Sequence, residues 1–142
     1  MSAIPANDAE WAEKLESMKQ SLPKRTLTQP PIPLGVHRTI DHTLLTTPIE
    51  PWQIDKLCEE AREYDFATVC VRLQHVSRAA NHLKGSNTGV ACVVAFPEGT
   101  HETAEKVREA KEAASHGATE LDMVIRYNLL KEGKYTDVYQ VA

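Results

Sequence analysis

Trp11, Leu15, Met18 and Leu22 recur at steps of three and four residues, so residues 8–22 have one apolar face and read as an amphipathic helix. Asn7 and Glu10 are spaced as a capping box for its start, and Pro23 ends it. The following stretch, PKRTLTQPPIPLGV, holds Pro23, Pro30, Pro31 and Pro33, which favour extended, irregular backbone. Residues 1–36 are therefore expected to form an amino-terminal extension: a helix over 8–22 and a proline-rich linker over 23–36. The region 37–142 is patterned differently.

From residue 38 a short β-rich run alternates with a helical run. The β-rich runs are RTIDHTLL, FATVCVRL, GVACVVAF and TELDMVIR. Between them, Ile54, Leu57, Cys58 and Ala61 share one helical face, with Thr47 and Glu50 spaced as a capping box. Val76, Ala79, Ala80 and Leu83 mark a second helix. Ala104, Val107, Ala110 and Ala114 form the apolar stripe of a third, with Gly117 where a helix commonly ends in a left-handed residue. A further helix is expected from about Thr136. Strand and helix alternating every 25 to 30 residues, roughly, is the signature of right-handed βαβ crossovers and a parallel sheet. The unit is common to half of a barrel and to a small open α/β sheet.

Composition narrows the class. At 142 residues the chain can bury one sizeable core, but it is short of the roughly 250 residues of an eight-stranded α/β barrel. Sixteen basic against 20 acidic residues give a net charge of −4, and no lysine or arginine block offers a footprint for nucleic acid or anionic lipid. Asp8, Glu10, Glu13 and Glu16 break what a secretory leader would need, and no apolar run approaches a membrane span. Cys58, Cys70 and Cys92 lack C-x-x-C spacing, as expected of reduced thiols in a cytoplasmic protein.

The strands also divide their chemistry by face. Alternation puts Asp41 with Thr43, Thr68 with Cys70 and Arg72, and Glu120 with Asp122 and Val124. Opposite them lie Ile40, His42 and Leu44, then Val69 and Val71, then Leu121, Met123 and Ile125. The third strand is apolar on both faces, with Cys92, Val94 and Phe96 against Val93 and Ala95. If helices cover the apolar face, the carboxylates of Asp41, Glu120 and Asp122 converge on the other. Carboxylates there are costly to bury unpaired and call for a cation. A lysine with a lowered pKa is one physical answer, since its neutral amine can attack a carbonyl. The nine lysines present read as helix-surface, linker or loop residues in water, none within a strand. His37, His42, His75, His82, His101 and His116 do not form H-x-x-x-H or H-E-x-x-H, so no zinc site is read.

IDHTLL, FATVCV, VVAFPEG and HGATELDMVI, in this order and spacing, resemble the deoxyribose-phosphate aldolase family over about residues 38–142. The last segment is the most specific. The resemblance implies a (β/α)8 TIM barrel, of which residues 37–142 would supply about the first four βα units, the amino-terminal half. It implies cleavage of 2-deoxy-D-ribose 5-phosphate to acetaldehyde and D-glyceraldehyde 3-phosphate through a lysine Schiff base, with neither metal nor cofactor. Asp122 matches the family's proton-transfer aspartate. Asp41 matches an aspartate that organises the charged network, and Thr43 and Cys70 match positions lining the pocket. Arg72 and Leu73 replace the residues with which the family's second strand usually continues. The reactive lysine and the phosphate cradle belong to later strands than those in hand, so the chain by itself is expected to be an inactive fragment.

The expected partner is a small sugar phosphate, with homo-oligomer formation compatible and nucleic acid and membrane not expected. Two other readings remain: a non-catalytic half-barrel associating through its unpaired first and fourth strands, and a related Schiff-base aldolase with another acceptor. The linker carries a prediction of its own. Limited proteolysis should cut first between Pro23 and Gly35, and protection of that stretch would show that it is packed.

Overall fold

The structure, a computed structural model, describes residues 3–23 and 35–142. Most of the proline-rich linker expected over 23–36 lies outside the described residues. The element order is α1 (Asp8–Ser21), a 3-10 turn (Val36–Thr39), β1 (Asp41–Thr43), α2 (Pro51–Glu63), β2 (Thr68–Val71), α3 (Leu73–His82), β3 (Gly89–Val94), α4 (Thr103–Ser115), β4 (Glu120–Met123), α5 (Tyr127–Lys131) and α6 (Tyr135–Val141). The described residues divide into two compact units. One joins α1 to the carboxyl-terminal helices, and the other carries the sheet with α2–α4.

In the smaller unit, α1 starts as its sequence indicates. The Asn7 side chain accepts the Glu10 N–H at 3.0 Å, while the Glu10 carboxylate accepts the Ala6 N–H at 2.8 Å. The Trp11 and Tyr139 rings meet at 5.4 Å, and Asp8 accepts the Thr136 N–H at 2.7 Å, capping the first turn of α6. α6 begins within one residue of the expected start. α5 was not anticipated, because YNLLK is too short to display a helical period.

In the larger unit, four parallel strands lie in the order β1-β2-β3-β4, the sequential pattern of consecutive crossovers. Ile54, Leu57, Cys58 and Ala61 of α2 are buried, as their spacing indicates, and pack with Val76 and Ala79 of α3 onto Val69, Val71, Val90 and Cys92. Each large apolar side chain so buried stabilises the fold by about 1.5–3 kcal/mol. His42 also lies on this side, its Nε2 2.8 Å from the Glu60 carboxylate of α2.

Four local expectations are corrected. The capping box of α2 joins Glu50 to Gln53, not Thr47 to Glu50, because Pro51 takes the first helical position, where its missing N–H leaves nothing unpaired. α4 turns Lys106, Glu109, Ala110 and Ala113 inward and leaves Ala104, Val107 and Ala114 exposed. Alanines are too weakly apolar to choose a face, and the packing against β3 decides it. Lys106 is consequently buried, although a helix-surface lysine was expected. Phe96 packs with Cys70, Ala91 and Val93 instead of with Cys92 and Val94, since Ala95 adopts φ 57° and breaks the alternation.

Gly117 follows α4 at φ 104°, and a Cβ there would stand 2.8 Å from that of Ala80. Gly85 has φ 76° with nothing within 4 Å. Left-handed strain alone costs about 1–2 kcal/mol, so Gly85→Ala should lose that much and Gly117→Ala more. Urea unfolding compares them directly; equal losses would mean that α3 yields to the new methyl.

Candidate functional site

Alternation along the strands turns Asp41 and Thr43, Thr68 and Cys70, Ala91 and Val93, and Glu120 and Asp122 to the side away from the helices. The register sets Thr43 beside Cys70, Cys70 beside Ala91, Ala91 beside Glu120, and Val93 beside Asp122. Asp41, Thr43, Cys70 and Asp122, the four residues singled out in the sequence, therefore share one face. Cys70 and Asp122 are two strands and two residues apart, roughly 12 Å by ladder spacing and strand rise, with small Ala91 and Val93 between them. That gap suits a small molecule lying across the sheet better than a direct bond.

Asp41 is braced. Thr68 Oγ1 donates to its carboxylate at 2.7 Å, and Thr43 Oγ1 donates to its backbone carbonyl at 2.8 Å. Thr68 was placed on this face by alternation, but its pairing with Asp41 depends on inter-strand register, which one sequence does not show. Cys70 is 5% exposed and packs with Ala91 and Val93. Burial pushes its thiol up and the negative charge of Asp122 adds to this; a hydrogen bond with Thr43 opposes, and Asp41 and Glu120 reinforce the rise. Burial also drives Cys58 and Cys92 up to about 11. A thiol held protonated is a poor nucleophile.

The rim is organised by Arg72. Its Nε donates to the Leu45 carbonyl at 2.9 Å and its Nη1 to that of Phe96 at 3.4 Å, while the guanidinium lies 5.1 Å from the Phe96 ring centre. One side chain immediately beyond β2, at the start of α3, thus ties together the segments that leave β1 and β3. Arg72 was noted in the sequence only as a departure from a family pattern; its bridging role required the fold. A cleft of about 390 Å³ opens between α3 and α4, lined by Arg72, Gln74, Ser77, Glu109 and His116 among others, but none of the four site residues lines it.

None of the four strands carries a lysine, so Asp41, Glu120 and Asp122 give this face a negative charge without a lysine of its own. Among the described residues no three His, Cys, Asp or Glu side chains gather where one metal ion could be held. No described helix is long and apolar enough to cross a membrane.

A parallel sheet built by successive βα units, with polar groups inside and helices outside, defines the α/β-barrel class, about four units of which are present. Comparison with known proteins narrows the class. The profile of the DeoC/LacD family aldolases matches residues 36–142. A deoxyribose-phosphate aldolase of Coccidioides immitis is 48% identical over 94% of this chain and 51% of its own length, and one of Natranaerobius thermophilus is 48% identical over 75% and 48%. A crystal structure assigned as a deoxyribose-phosphate aldolase from Coccidioides immitis superposes with a TM-score of 0.88 at 47% identity, covering 99% of this chain and 56% of that one. A tetrameric deoxyribose phosphate aldolase from Aeropyrum pernix gives 0.65 at 26% identity, covering 75% and 45%. The chain belongs to the DeoC/LacD aldolase family. It spans about half the length of the curated relatives that it matches.

The raised thiols set the pH dependence of labelling. A group whose pKa is raised gains its thiolate only at higher pH, so native Cys58, Cys70 and Cys92 should label slowly with a thiol reagent at pH 7 and faster as pH rises. In urea all three should label at the rate of free cysteine. Rapid native labelling of Cys70 at pH 7 would contradict the burial described.

Proposed function

We propose that this chain supplies the amino-terminal half of a deoxyribose-phosphate aldolase, which cleaves 2-deoxy-D-ribose 5-phosphate to acetaldehyde and D-glyceraldehyde 3-phosphate. The observation that carries the reading is the common face of Asp41, Thr43, Cys70 and Asp122 in a member of this family. In the reaction a lysine from the other half forms a Schiff base with the aldehyde carbon. Asp122 moves the proton needed between imine and enamine, Asp41 supports the charged network, and Thr43 and Cys70 line the pocket. The reading assigns residues 1–36 to an extension and 37–142 to the half barrel. It places the protein in the cytoplasm, acting on a small sugar phosphate without cofactor, nucleic acid or membrane, and is compatible with a homo-oligomer.

The negative face explains why another half is needed. A lysine entering among Asp41, Glu120 and Asp122 would pair their charge, and low-dielectric burial would favour its neutral, attacking form. A second reading, a half barrel that associates through its sheet edges, is favoured by β4, all four of whose residues are exposed. A defined oligomer by light scattering, without lyase activity after completion of the barrel, would select it.

The test is to join the chain to the carboxyl-terminal half of the Coccidioides immitis relative. The chimera should release acetaldehyde from deoxyribose 5-phosphate, and borohydride with acetaldehyde should trap one lysine in the added half. Asp122→Asn should keep the fold and lower turnover by about 100- to 10,000-fold, the usual worth of positioned acid–base help. The 142-residue chain alone should show neither activity nor a trapped lysine. A folded chimera without retro-aldol activity would sink the reading, and near-normal turnover of Asp122→Asn would return Asp122 to a structural role.

A further inference from the structure

α4 delivers two charged side chains, one turn apart, to the ends of β3 and β4. Lys106 is 3% exposed, and its Nζ donates to the Val124 carbonyl at 3.1 Å. Glu109 accepts the Ala95 N–H at 2.9 Å. Both backbone groups belong to residues immediately beyond the last β3–β4 pair, Val94 with Met123. The Val124 N–H extends the ladder once more, to the Val94 carbonyl at 3.0 Å. In a continuing parallel ladder the next rung would run from the Phe96 N–H to the Val124 carbonyl. Ala95, at φ 57°, turns β3 out of line there, and the Lys106 ammonium stands in the donor's place.

An ammonium on a carbonyl and a carboxylate on an N–H are charge-assisted bonds, stronger than the neutral rungs they continue. A buried lysine head is costly unless its N–H groups are hydrogen-bonded, and the Val124 carbonyl accepts one of them.

We propose that Lys106, supported by Glu109, is a positioning residue: it locks the carboxyl end of β4 and thereby fixes how Asp122, two residues earlier on that strand, presents its carboxylate. It acts through the β4 backbone and touches no substrate. Its effect on turnover rests on the aldolase reading, whereas the lock rests on strand geometry alone.

Two readouts separate these layers. In the 142-residue chain, amide exchange at Val124 should quicken by about tenfold or more in Lys106→Met, while Val69 and Cys92 in the core keep their rates. Lys106→Arg retains a charged donor and should restore most of the protection. Val124 exchange unchanged in Lys106→Met, or Arg no better than Met, overturns the lock. Should Lys106→Met not fold, Glu109→Gln decides: faster exchange at Ala95 and Val124 together supports the lock, and unchanged rates at both overturn it. In the chimera, Lys106→Met should lower kcat by about tenfold or more with KM within about twofold, and Lys106→Arg should recover it. A loosened Val124 with unaltered kcat overturns the positioning role. If the unsubstituted chimera is inactive, the aldolase reading fails, and exchange still decides the lock.

Discussion

Parallel neighbours in a sheet cannot be joined by a hairpin, so every connection between the four strands must cross from one end of the sheet to the other. The crossovers share one hand, which places α2 and α3 on the same side with their apolar stripes against Val69, Val71, Val90 and Cys92. The other side is thereby released from helix packing. Its residues need not be uniformly apolar, and the polar set of Asp41, Thr43, Thr68, Glu120 and Asp122 occupies it.

That division was legible because it depends on period alone. Counting in twos separates Asp41 and Thr43, Cys70, and Asp122 from the apolar residues of their own strands, the shared apolar side aligns the strands, and Ile54, Leu57, Cys58 and Ala61 fall on one face by counting in threes and fours. Counting failed where the backbone changed its period or where side chains were indifferent. Ala95 sends Phe96 to the opposite side through a single left-handed residue. In α4, alanines on several faces let the packing against β3 select the side bearing Lys106, against the stripe suggested by Val107. Arg72 and Thr68 were visible as residues on a face, but their partners lie 24 to 27 positions away across strand register.

The described half is electrically one-sided. Threonine hydroxyls hold Asp41 in place and the Arg72 guanidinium is engaged by rim carbonyls, so neither arrangement places a lysine among the strand carboxylates. On the proposed reading, complementary charge from a completing half would provide both pairing and specificity, since like-charged halves brought face to face repel. For the same reason, two copies of this half closing on each other would set Asp41, Glu120 and Asp122 against their own counterparts.

The two tryptophans fall in different units. Trp11 is partly buried beside Tyr139 in the smaller unit, whereas Trp52, on α2 of the larger one, is 62% exposed. An indole already largely in water changes its surroundings little when the chain unfolds, but one packed against a ring changes a great deal. Intrinsic fluorescence would therefore follow chiefly the loosening of α1, and a melt recorded that way would report on the smaller unit while leaving the sheet, and with it the face of Asp122, nearly silent.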